Sequence, residues 1–289
     1  MTALALALVL TAGFFHATWN LLVKRVEEGG APFVWLYSAL SATIYAPLAA
    51  VFVLRGAGDV GKLGVLFMLG TGVLHTGYFL CLQAGYRVGD LSVVYPLARG
   101  TGPLLASFAA VALFGEHLGS LAIAGILAIV CGVFLLAWEP GGGSSFPKDR
   151  RLGVAYGLAT GVFIAAYTLW DKYAVSDLAL SPVIYYWASL MVESALLSPQ
   201  AARRHREVRA AWREHRLEAL GVAVLSPLAY ILVLTALVFA PVSRVAPTRE
   251  IGILIGTAMG GRLLAEGGLR RRLLAAALMV AGIAALAVG

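Results

Sequence analysis

The chain of 289 residues is 60% hydrophobic and only 13% charged, with a mean hydropathy of +0.86. Soluble domains carry about 45–50% apolar and about 25% charged residues, so this composition leaves too little polar surface for a water-soluble globule. The formal net charge of +7 falls mostly in short runs between apolar blocks, the pattern of membrane topology rather than of a nucleic-acid-binding face.

Ten apolar blocks approach or exceed the roughly 20 residues that a spanning helix needs. They lie at 2–23, 32–54, 63–86, 91–114, 118–138, 152–173, 182–199, 217–240, 242–263 and 273–288. No Lys or Arg precedes the first block, which therefore reads as a retained helix rather than a cleaved signal. Its sequence GFFHATWNLLVKR sets His16, Trp19 and Asn20 at i, i+3 and i+4, on one helical face. An imidazole and an amide need partners in lipid, so this face points inward, as a pocket wall or as glue between helices. His16 also suits proton relay, because a free imidazole titrates near neutrality.

The third block carries His75, Tyr78 and Gln83. The fourth, LSVVYPLARGTGPLL, places Tyr95 and Arg99 among Pro96, Gly100, Gly102 and Pro103. A charge at that depth costs about 3 kcal/mol on insertion, and each proline frees a backbone carbonyl. Both defects are tolerated where a helix lines a wet, protein-walled site. Glu116, in FGEHLG beyond that block, reads as a capping or interface residue. Cys81 and Cys131 lie in apolar blocks without metal-ligand spacing or a disulfide framework, so they read as small hydrophobes.

At the midpoint, residues 140–151 with GGGSSFPKDR form a flexible linker between two units, 1–139 and 152–289. At an offset of 148 to 150 residues, Gly13, Phe15, Ala17 and Lys24 match Gly161, Phe163, Ala165 and Lys172. Further along, Pro32, Arg99, Glu116 and Gly132 match Pro182, Arg249, Glu266 and Gly282, and the aromatics Trp19 and Trp35 match Tyr167 and Tyr185. Five helices per half make the second half run through the membrane in the opposite sense, an inverted repeat with its substrate site near the midplane. The expected fold is therefore an all-α membrane protein of ten transmembrane helices in two inverted five-helix repeats.

In the second half, Tyr167 and Trp170 of block six and Tyr230 of block eight are candidate cavity aromatics. Glu193 in block seven and Glu250 in block nine are candidates for proton binding, or for neutralising an arginine. Arg249 sits beside Glu250. The guanidinium pair, Arg99 and Arg249, has the planar fork that grips a carboxylate or phosphate. The opposing reading is an internal ion pair, of either arginine with Glu250 or Glu193. Gly252, Gly256 and Gly260 make a ridge for close helix packing. Residues 200–216, with six arginines, suggest a short interfacial helix beside anionic headgroups.

Threading ten spans puts sixteen Lys and Arg on one side and four on the other. The basic side is then cytoplasmic and both termini lie outside. No phosphate loop, nucleophile elbow or metal triad is present, so no enzyme chemistry, cofactor or metal is expected.

Ten helices in two inverted repeats, GxxHAxWNLxxKR in the first helix and YPLARGTGPLL…FGEHL in the fourth, resemble the EamA-like branch of the drug/metabolite transporter superfamily. The second half departs from it, with LAE where the first has Gly-Glu. The wording of the first and fourth helices is also similar to a subgroup associated with phosphonate-utilisation gene clusters. The resemblance implies secondary transport of a small metabolite, often an amino acid or related compound, across the inner membrane. It implies a central cavity lined by helices one, three, four, six, eight and nine, and termini inside, against the charge count. The bilayer and a small-molecule substrate are the expected partners, with a monomer or homodimer as the assembly. A flippase for a lipid-linked substrate, or a membrane enzyme without a recognisable motif, is the alternative.

Overall fold

The computed structural model describes residues 1–26, 30–89, 91–137, 149–259 and 269–288, and all regular structure among them is helical. The first half forms α1 (Ala3–Lys24), α2 (Gly30–Phe52, extended by a π turn at Val53–Ala57), α3 (Gly61–Val88), α4 (Leu91–Phe114) and α5 (Ser120–Ala137). The second forms α6 (Arg150–Ser176), α7 (Pro182–Arg203), α8 (His205–Glu214), α9 (Arg216–Phe239), α10 (Val242–Thr248), α11 (Ile251–Met259) and α12 (Leu269–Val288). Seven of these segments are long and apolar enough to cross a membrane by length and composition, and α5 is a shorter apolar helix.

One expectation is corrected. The block at 242–263 is not one helix: it breaks at Arg249 and Glu250 into α10 and α11. Pro247 lacks the N–H that would bond Ser243, and the freed Ser243 carbonyl instead accepts from the Ser107 hydroxyl of α4 at 3.4 Å. By contrast, α4 runs unbroken through Pro96 and Pro103. In α9, Pro227 frees the Ala223 carbonyl, which accepts from Ser41 of α2 at 3.0 Å, while Val224 accepts from the Tyr45 hydroxyl at 2.7 Å. Side chains of neighbouring helices thus satisfy the backbone where prolines open it.

Helices pair in a pattern that survives exchange of the halves. The α5–α12 and α2–α7 pairs map onto themselves; α1 on α9 corresponds to α6 on α3, and α1 on α11 to α6 on α4. The central crossings are glycine contacts. A Cβ on Gly13 of α1 would lie 2.7 Å from Ile251 Cγ2 and 3.3 Å from the Gly252 nitrogen. At the counterpart crossing, a Cβ on Gly161 of α6 would meet the Thr101 hydroxyl and come within 3.2 Å of the Gly102 nitrogen. A Cβ on Gly256 would lie 3.6 Å from the Ala17 Cβ, an ordinary contact, so the close approach is at Gly252, where an added Cβ would lie 3.1 Å from the Gly13 carbonyl oxygen. Gly260, Glu266, Arg262 and the linker through residue 148 lie outside the described residues.

The chain ends meet. The Met1 ammonium donates to the Ala287 carbonyl at 3.1 Å, so α1 begins where α12 ends. Large apolar side chains such as Leu66, Leu69, Val73, Phe108 and Val162 are exposed along the outer faces, where a hydrocarbon solvent would cover them.

Candidate functional site

A cavity of about 430 Å³ opens between the halves. Its walls come from α1, α2, α3, α4, α6, α7 and α9, with Arg249 at the α10–α11 break. Of the sequence candidates, His16, Trp19, Asn20, His75, Tyr78, Tyr95, Arg99, Tyr167, Tyr230, Arg249 and Glu193 all border it. The glycine crossings explain the convergence, since they let α1 and α6 approach the polar stretches of the opposite partners closely.

The polar floor is an ion triad. Arg99 Nε lies 2.9 Å from Glu250 Oε2, and Arg249 Nε lies 3.9 Å from Glu250 Oε1. Glu250 is only 1% exposed and does not border the cavity. It therefore stands behind the arginines as their shared counter-ion. Two guanidinium charges over one carboxylate leave a net positive floor. Arg99 Nη2, itself buried, finds no aligned acceptor among the described residues. Of the two sequence readings, the internal ion pair is present in the geometry, and both of its arginines also border the cavity.

Aromatic rings form the wall above. Arg249 Cζ stands 5.9 Å over the Tyr167 ring and its Nη2 lies 3.5 Å from the Tyr167 hydroxyl. His75 stacks on Tyr167 with centroids 4.2 Å apart, and Thr71 fixes its ring through contacts of 3.1 and 3.0 Å to Nδ1. Tyr230 meets His75 edge-on at 5.1 Å, and Tyr186 lies 4.8 Å from Tyr230. His16 and Trp19 make an edge contact at 5.0 Å, while the Asn20 amide donates to the His16 carbonyl at 2.6 Å.

Trp170 is the exception among the aromatic candidates. It leaves the cavity, stacks on Phe67 at 4.1 Å and donates to the Phe67 carbonyl at 2.9 Å. Helix two and helix seven contribute Tyr37, Tyr186 and Glu193 to the lining, beyond the six helices the resemblance implies. Tyr37 and Tyr186 carry no sequence signal beyond an aromatic in an apolar block. Asp171, fully buried beside the site, was also not a candidate; it accepts from Tyr185 and Tyr230.

The cavity is one-sided. Val23, Val26 and Gly30, around the α1–α2 connection, and Gln83 and Tyr86, near the end of α3, carry it toward one end of the bundle. Toward the other end, Lys172 Nζ donates to the carbonyls of Leu237 and Ala240 at 2.7 and 3.3 Å. Glu116 caps α10 there, accepting from the nitrogens of Val242 and Ser243 at 2.7 and 2.9 Å, as its capping reading required.

The family model of the EamA-like transporters matches residues 3–138 and again 151–288. A polytopic membrane fold with a cavity between two repeats defines the class, a membrane transporter of small solutes. The chain belongs to the EamA-like transporter family. A solved structure described only as "Crystal structure of protein" is similar to it with a TM-score of 0.77 at 17% identity, covering 100% of this chain and 98% of the other. At that identity the likeness shows the fold alone. Among curated proteins, no sequence relative matches.

Proposed function

We propose that the protein is a secondary transporter that moves a small amphipathic or anionic metabolite, such as an amino acid or aminophosphonate, across the inner membrane by alternating access. The observation that carries this reading is the cavity floor, where Arg99 and Arg249 border the cavity and share one carboxylate behind them, leaving an excess positive charge. An anionic group seated there balances that excess charge, and the aromatic wall covers the apolar part of the ligand.

Ten crossings in inverted repeats fit the packing that survives exchange of the halves, with α10 and α11 together as the ninth. An even count also fits termini that meet at one end of the bundle. The cavity opens toward the end of α1 and α3, which bears Lys24, Arg25 and Arg87. By charge count that end is cytoplasmic, so the conformation is inward-open and the termini lie outside. Substrate-binding roles fall to His16, Trp19, Asn20, His75, Tyr78, Tyr95, Arg99, Tyr167, Tyr230 and Arg249. Glu250 neutralises the arginines, and His16 and Glu193 are the proton-coupling candidates that border the cavity.

Counterflow in proteoliposomes with a panel of amino acids, aminophosphonates and nucleosides tests the reading. Arg249→Ala, which leaves the 2.9 Å Arg99–Glu250 contact in place, is expected to weaken apparent affinity for an anionic ligand at least ~10-fold, the worth of one charge-assisted contact. Near-normal counterflow by both Arg249→Ala and Arg99→Ala would overturn the anion site.

A further inference from the structure

We infer that Asp171 is a proton-binding site that exchanges with the cavity through Tyr230 and reports its charge state to the contact between the halves through Tyr185. The inference rests on the transporter reading above. Asp171 of α6 has no exposed surface, yet both its oxygens are engaged: Oδ1 accepts from Tyr185 at 2.6 Å and Oδ2 from Tyr230 at 2.5 Å. Its sequence neighbour Lys172 turns away, toward the carbonyls that end α9. Tyr230 borders the cavity, whereas Tyr185 is fully buried. A single phenol therefore separates the carboxylate from the cavity.

The network is hydrogen-bonded in either charge state. In the ionised state both phenols donate to the carboxylate. To protonate it, a proton from the cavity binds the Tyr230 oxygen while the original Tyr230 proton passes to Oδ2. The phenol is regenerated with its O–H toward the cavity, the Asp171 O–H now donates to the Tyr230 oxygen, and the net change is one proton gained by the carboxyl.

The second phenol has an alternative acceptor. The Tyr185 hydroxyl lies 3.4 Å from the Phe67 carbonyl on α3, which also accepts from Trp170 of α6. Once Asp171 is neutral and its hold on Tyr185 weakens, that hydroxyl can shift its donation from its own half to the other half. Protonation thus strengthens a link across the seam on which the halves must move.

The titratable and charged groups facing this network are known from each side. His75 of α3, Tyr186 of α7 and Tyr167 of α6 surround Tyr230. Glu193 of α7 lies in electrostatic range of Tyr186. Arg99 of α4, with Arg249 and Glu250 at the α10–α11 break, is held in the ion triad beneath Tyr167.

Infrared difference spectra of the purified full chain in nanodiscs, taken between acidic and alkaline buffer, read the carboxyl directly. A protonated-carboxyl C=O band is expected that vanishes in Asp171→Asn and persists in Glu193→Gln. In Tyr185→Phe and Tyr230→Phe, which retain Asp171, the band should remain but change frequency as a hydrogen bond is lost. These two variants carry the test if Asp171→Asn does not fold. A band untouched by Asp171→Asn, lost only in Glu193→Gln, or unshifted in both phenylalanine variants overturns the inference. With a compound that passes counterflow, Asp171→Asn should retain exchange and lose accumulation driven by a pH gradient at least tenfold; retained accumulation also overturns it. Should no compound show counterflow, the transporter reading fails alone, because the infrared result stands without substrate.

Discussion

The fourth and ninth predicted blocks are counterparts at an offset of 150 residues that share the arginine, and the residue after it is one of the many positions at which they differ. In the first half Arg99 is followed by Gly100, whose missing Cβ makes room for the α5 ring Phe134; an added Cβ would lie 2.6 Å from Phe134 Cε2. In the second half Arg249 is followed by Glu250, and the helix breaks there. One half thus spends the position on packing an unbroken helix. The other spends it on the carboxylate that makes two buried cations tolerable. The two crossings each bring an arginine, but the shared counter-ion lies in only one of them.

The largest effect expected from that asymmetry is on stability. Glu250→Gln removes the carboxylate that both guanidinium groups share. Breaking a buried pair from one side costs about 3–5 kcal/mol, read by thermal unfolding of the purified protein. Adding Arg99→Gln to Glu250→Gln should recover part of that loss. Gly100→Glu should recover none, because its side chain starts toward Phe134 rather than toward the arginines. Rescue by Gly100→Glu would show the two positions to be equivalent and end the comparison.

The crossings offer a milder test of what the halves share. Gly13→Val and Gly161→Val each overpack a helix–helix contact, at about 1–3 kcal/mol. Gly161→Val should be the worse, because its added Cβ would come closest to Thr101, whose hydroxyl is tied to the Leu97 carbonyl, while a Cβ on Gly13 would meet a methyl group, Ile251 Cγ2, at 2.7 Å. Unfolding of the two variants side by side measures the difference; a harmless Gly161→Val would mean that α6 and α4 are not in close contact.

Much of this was legible in the sequence because hydropathy and charge are local. The apolar blocks match the helices to within a few residues, except where Arg249 and Glu250 interrupt the ninth. Buried arginines flanked by prolines marked the cavity, since lipid forbids them elsewhere. Rotation about a helix axis is a different matter. Trp170 and Tyr167 are three residues apart on α6, yet one packs outward on Phe67 and the other faces the cavity, a choice set by neighbours distant in sequence. Asp171 was missed for a similar reason: in WDKY, near the end of its block, it resembles an interfacial charge, and only the tertiary fold brings Tyr185 of α7 and Tyr230 of α9 to it.

The smallest effect belongs to Glu116, at the sealed end. Its carboxylate satisfies two of the amides that open α10, just before the chain reaches Arg249. Glu116→Ala is expected to cost about 1 kcal/mol, the worth of a helix cap with a favourable charge at the N-terminus. That is well below the cost of Glu250→Gln, although both are acids at the ends of short helical pieces in the same region. The reason is environment: Glu116 neutralises partial charges at the edge of the bundle, and Glu250 neutralises whole charges in its interior. An unfolding loss for Glu116→Ala as large as that for Glu250→Gln would mean that the seating of α10, and not the shared counter-ion, holds the two halves of the site in register.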